Sequence, residues 1–157
     1  MRPILIFVAL MLIGVASAER ENAQVNDFTV SFDLNKTHDT VIDTGNGING
    51  SVEVRTFEGS ITCNLFRYPK PLPLNSTWLK DNLAMFSRNG APAEQIEIDG
   101  DQGIFIVSMS GDTGEPIYGA MYYPDVEKGK ANTFVSITST LPFYTTADFL
   151  RTMQVMA

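Results

Sequence analysis

From Phe28 the chain alternates. Phe28, Val30, Phe32 and Leu34 interleave with Thr29, Ser31 and Asp33, the period-two pattern of a strand with one buried face. The same pattern predicts strands near Thr40–Asp43, over Ser51–Phe57 with Val52 and Val54 in phase, and over Ser60–Tyr68 after a Glu58-Gly59 turn. Pro69, Pro71 and Pro73 are spaced two apart, which favours an extended connector over a helix or an inner strand.

Two stretches change period. Over Asn75–Gly90, Ser76 or Thr77 is a candidate N-cap, Leu79, Leu83 and Phe86 form one stripe, and Gly90 is the stop, predicting a helix. Over Tyr144–Ala157, Thr145 or Thr146 is the candidate cap, and Phe149, Met153 and Met156 form the stripe with Leu150 beside it. A second helix running to the last residue is expected there.

Between the helices, Glu94–Ile98, Gly103–Met109, Pro116–Pro124 and Thr133–Thr140 are apolar-rich runs separated by short polar turns. Asp99-Gly100-Asp101 is a hairpin signal, and four such runs in succession predict an antiparallel meander. The fold expected is α+β: an antiparallel sheet of about six to eight strands with two helices packed on it, in the order strands, helix, meander, helix.

The first eighteen residues stand apart. Arg2 precedes an unbroken apolar or Gly run from Ile4 to Val15, and Ala16-Ser17-Ala18 precedes Glu19, Arg20 and Glu21. This is the layout of a cleaved secretory signal, and the apolar run is too short for a membrane span of about 20 residues. Residues 1–18 are therefore expected to be removed, leaving 19–157 as one exported domain, extracellular, periplasmic or on the cell surface, with no stable membrane anchor.

Composition narrows the function. The chain of 157 residues carries 18 Asp and Glu against 11 Lys and Arg, net −7. No basic cluster is present to displace counterions from nucleic acid. Cys63 is the one cysteine, so no intramolecular disulfide can form. It lies in phase with Ile61 and Leu65, as a small core hydrophobe would. N-x-S/T acceptors begin at Asn35, Asn49 and Asn75 and are possible N-glycosylation sites of an exported chain.

Gly45-Asn46-Gly47-Ile48-Asn49-Gly50 matches the dinucleotide fingerprint in letters. That fingerprint works by starting a helix whose N-terminus meets the pyrophosphate. Here Ser51–Phe57 alternates as a strand, so the glycines are expected to form a surface turn, and no cofactor is expected. With a single histidine, His38, flanked by polar residues, a solvent-facing turn is expected there, and zinc sites of the usual Cys/His kinds are excluded by count. Asp99 and Asp101 have the spacing of the first two ligands of an EF-hand loop and are the calcium candidates, but no Glu closes that loop. Tyr118 and Tyr122 share a strand face and are the candidate partner face, with the core as the other reading.

The layout over Phe28–Met156 resembles the PsbP-like group of exported domains. The stretches that carry the likeness are Phe28–Leu34, Leu74–Phe86 and Ala147–Met156. The resemblance implies an antiparallel sheet between two helices and a non-enzymatic accessory or binding role, and it assigns no residue a function. The function expected is thus an exported binding domain for an extracellular or periplasmic protein or a small ligand. The alternatives are a secreted hydrolase or lyase using carboxylate and Tyr groups in a sheet cleft, and a glycosylated cell-surface module.

Overall fold

A computed structural model describes residues 20–156; the expected leader over residues 1–18 lies outside them. In chain order the elements are β1 (Glu21–Val25), β2 (Phe28–Phe32), β3 (Asp39–Asp43), β4 (Asn49–Thr56), β5 (Gly59–Pro73) and α1 (Trp78–Arg88). They continue as β6 (Ala93–Ile98), β7 (Asp101–Met109), β8 (Pro116–Tyr122), β9 (Lys130–Ser139), α2 (Phe143–Thr152) and β10 (Gln154–Met156). The molecule is mostly antiparallel sheet. Seven strands form one sheet in the order β3-β4-β5-β9-β8-β7-β6, and β1-β2-β10 form a second, three-stranded one.

The large sheet is two meanders joined in the middle. The chain walks inward through β3, β4 and β5, leaves through α1 to the far edge at β6, and walks back until β9 closes against β5. The expected Asp99-Gly100 hairpin is present: Ile98 pairs with Asp101, and the two loop residues take φ of +56° and +82°. These left-handed values are what a two-residue type I′ turn requires.

Register assigns the faces. The row Val52–Cys63–Ile137–Ala120–Phe105 runs across five strands and lies in the core with Phe28, Val30 and Phe32 of β2. Phe149 of α2 completes that layer, its ring 5.0 Å from Phe32. The core therefore sits between the two sheets, closed at one side by α2. The opposite face of the large sheet carries the alternate row Ser51–Asn64–Ser136–Met121–Ile104. α1 contacts β6 and β7, with its expected stripe half-buried and no residue fully buried.

Several expectations need correction. β1 was not foreseen, because Ala23 and Val25 are its only apolar residues; it forms by pairing with β2 through an Asn26-Asp27 turn in which Asn26 has φ +54°. The Pro69–Pro73 segment is part of β5 rather than a connector. Leu72 and Pro73 pair with β9 after an irregularity following Arg67, beyond the last residue that β4 pairs, so the prolines sit where one side of the strand needs no donor. The second helix starts earlier and stops sooner than expected. It begins at Phe143 after Pro142, and Thr146 is buried inside it, its Oγ1 donating to the Leu141 carbonyl at 3.2 Å. It ends at Thr152, and the chain turns extended to add β10 to the open side of β2.

His38 is also enclosed rather than solvent-facing. Its side chain is 8% exposed with Nε2 2.7 Å from Glu21 Oε1, so it ties the β2–β3 loop to β1. The glycine turn is followed by β4, as expected. Gly45 and Gly47 take φ of +52° and +82°, whereas Gly50 lies inside β4. A Cβ at Gly50 would sit 2.4 Å from Val25 Cγ1 and 2.8 Å from the Asp43 carbonyl oxygen. This glycine lets the small sheet approach the large one.

Candidate binding cleft

The core layer reaches the β6 edge at Ile98 but leaves Ile96 only partly covered. There α2 touches β6, and between them and the segment leading into β10 lies a cleft of about 460 Å³. Parity aims Ile96 of β6 and Phe105 of β7 toward α2. The opposite wall is Ala147 and Leu150 of α2, with Met153 beyond. A smaller hollow of about 270 Å³ shares Glu94, Phe105 and Phe143 and extends past Pro92 and Val107. One groove thus follows the edge of the sheet.

Its floor is apolar and its rim is charged. Phe105 and Leu150 are each 6% exposed and Met153 is 1% exposed, while Arg20, Glu94, Glu97, Asp99 and Arg151 lie around them. Both arginines are engaged: Arg20 Nη2 donates to Gln154 Oε1 at 2.6 Å, and Arg151 Nη2 to Asp148 Oδ1 at 2.9 Å. Glu94 and Glu97 form no ion pair among the described residues.

Asp99 serves the fold at this end. Its Oδ2 accepts the Val155 N–H at 2.8 Å, pinning β10 to the β6–β7 turn. Burial raises its pKa, opposed by that hydrogen bond and by the Arg20 charge. Asp101 is raised too, by burial first and then by Asp99 and Asp125. These are the two calcium candidates of the sequence. Among the described residues no three His, Cys, Asp or Glu side chains form a group that could hold a metal ion. Asp112 and Glu115 lie in the turn at the other end of β7.

The tyrosine pair divides. Tyr118 and Tyr122 do share a face, but it is the core face, and Tyr122 is fully buried, so it cannot present a surface to a partner. Burial drives its phenol pKa far upward. Tyr118 is half-buried and packs on Phe105 at 6.0 Å and Phe143 at 5.7 Å, one end of an aromatic group that reaches the cleft and continues to exposed Tyr144. Cys63 is buried in the core, its thiol pushed up to about 12 by desolvation, so it offers no thiolate for chemistry at neutral pH. Of the sequons, Asn35 and Asn75 are exposed and Asn49 is half-buried at the start of β4.

Sequence reasoning missed Ile96, Phe105 and Ala147 as cleft residues. All three have the pattern of ordinary core positions, and only the cavity beside them distinguishes them. Trp78 has its own setting on the opposite face, edge-on to Tyr123 at 5.2 Å, with Phe134 and Phe66 continuing the strip at 5.2 and 5.9 Å. No protein family, curated protein or solved structure matches the chain. Among the described residues no helix is long and apolar enough to cross a membrane.

Proposed function

We propose that this chain is an exported binding domain that acts without catalysis and takes a largely apolar ligand or partner segment into the α2–β6 cleft. The observation that carries the reading is the cleft itself. At about 460 Å³ it falls in the range of about 300–1,000 Å³ typical of ligand sites, and it joins an apolar floor to a few polar groups, as such sites do. The leader supports export, and the PsbP-like layout supports an accessory role. In this reading the two helices pack on opposite faces of the large sheet, and the space left between α2 and the β6 edge makes the site.

The test uses residues 19–157 and a neutral solvatochromic dye such as Nile red. Saturable uptake with a blue shift is expected, and Ala147→Trp, which fills the cleft, should abolish it while leaving the circular dichroism spectrum unchanged. Uptake that survives Ala147→Trp, or no uptake by the parent chain, counts against the cleft.

One observation favours the hydrolase or lyase reading: Glu94, Glu97 and Asp99 all border the cleft, and the Asp99 carboxyl is raised, a combination met at catalytic sites. Burial accounts for the raised Asp99 carboxyl without catalysis, and its bond to Val155 gives the residue a structural role. Turnover of a chromogenic glycoside or ester panel, lost in Glu94→Gln or Glu97→Gln, would replace the binding reading. Intact mass of the native exported protein reads leader cleavage and any glycan at Asn35 or Asn75 in one spectrum.

A further inference from the structure

The cleft opens onto an unpaired strand edge, and the two together define a more specific ligand. β6 pairs with β7 alone among the described strands. The Val107 N–H donates to the Pro92 carbonyl at 2.9 Å, and Glu94 and Ile96 stand opposite Phe105 and Gly103. Alternation in an antiparallel ladder then directs the backbone groups of Glu94, Ile96 and Ile98 toward β7, and those of Ala93, Gln95 and Glu97 outward. Three consecutive outward residues are a template for one more strand.

Side-chain parity continues from the backbone. On an added strand, alternate residues share the face of Ile96 and point into the cleft against Phe105 and Leu150. The residues between them share the face of Gln95 and Glu97. Glu97, free of ion pairs among the described residues, therefore faces these residues and favours bases there, while Glu94 stands at the rim of the cleft face. Self-pairing of two β6 edges would bring two carboxylates to each face of the paired strands, so the edge is protected against a second copy. The other edge, β3, is exposed along its whole length and lines none of the hollows described above, so side chains of a strand added there would find no pocket.

We propose that the ligand of this site is an extended peptide segment of alternating apolar and basic residues, added as an eighth strand on β6 with its apolar side chains in the cleft. The inference rests on the cleft being a binding site.

The experiment uses isotope-labelled 19–157 and a capped hexapeptide alternating valine and lysine. Amide hydrogen exchange of Ala93, Gln95 and Glu97, rapid in the free protein, should slow on peptide addition, and the peptide should displace Nile red. Glu97→Gln should weaken binding about fivefold, the effect of losing cross-strand charge pairs, whereas Glu94→Gln, on the cleft face with the apolar side chains, should leave it unchanged. Gln95→Pro removes one outward donor and should weaken it about tenfold; should that variant fail to fold, the Glu variants alone carry the test. Replacing lysine by glutamate in the peptide should abolish binding. If the peptide displaces the dye while the three amides go on exchanging as before, strand addition is wrong and the cleft reading stands. Strand addition is equally overturned if the dye binds but the peptide does not, or if the glutamate peptide binds equally well. If neither dye nor peptide binds, both proposals fall.

Discussion

The two faces of the seven-stranded sheet are built from the same strands and have opposite fates. On the inner face the row from Val52 to Phe105 is closed over by β1-β2-β10 and α2, and Val54, Ile61 and Leu65 lose all contact with solvent. On the outer face the neighbouring row begins with Ser51, Asn64 and Ser136, all half-buried, and turns apolar at Met121 and Ile104. Alternation alone does not decide what is buried; the cover does. The inner cover reaches β6, where Ile98 is buried and α2 touches the strand, and the space it leaves beside Ile96 is the cleft.

Mutations on the two faces should separate them, the largest effect first. Phe149→Ala empties a fully buried site against Phe32 and should cost about 3–5 kcal/mol in urea denaturation. Gly50→Ala should cost about 1–3 kcal/mol by forcing a methyl against Val25 and the Asp43 carbonyl; a neutral result would mean the two sheets are less closely apposed than described. Outside the core, on α1, Leu83→Ala should cost only about 1 kcal/mol, since a half-buried leucine gives up about half the transfer energy of a buried one. A cost equal to that of Phe149→Ala would erase the contrast between the faces.

The smallest effect is electrostatic. Asp101 has a folded-state pKa raised by burial and by Asp99 and Asp125, so folding favours its protonated form. It penalises the fold above the ordinary carboxylate range, and the penalty disappears as pH falls below that range. Asp101→Asn should therefore stabilise the protein at neutral pH by less than about 0.5 kcal/mol, the position being substantially exposed. Thermal melts of parent and variant should converge on acidification; a variant less stable at neutral pH would assign Asp101 a structural bond instead.

The parts of the fold that local chemistry dictates were legible in the sequence. The Asp99-Gly100 turn, the alternation of Gly103–Met109 and Thr133–Thr140, and the Leu79–Leu83–Phe86 stripe each specify their element without reference to the rest of the chain. What depends on a distant partner was not legible. Glu21–Val25 is a strand only because β2 offers an edge, and Gln154–Met156 leaves the helical pattern for the same reason. His38 has polar neighbours in sequence, yet it is enclosed by Glu21 and the Lys36 carbonyl. Tyr118 and Tyr122 were placed on one face correctly, but parity cannot say which face receives the second sheet. The cleft belongs to this last class: it is a gap between elements, and no residue type announces a gap.

The most direct test of the cleft as a binding site is an amide NMR titration of residues 19–157 with the neutral dye, resolved residue by residue. Shifts are expected to concentrate at Ile96, Phe105, Leu150 and Gln154, with Phe66 and Phe134 on the outer face unmoved. Shifts centred on the outer aromatic strip, with the α2–β6 groove silent, would contradict it.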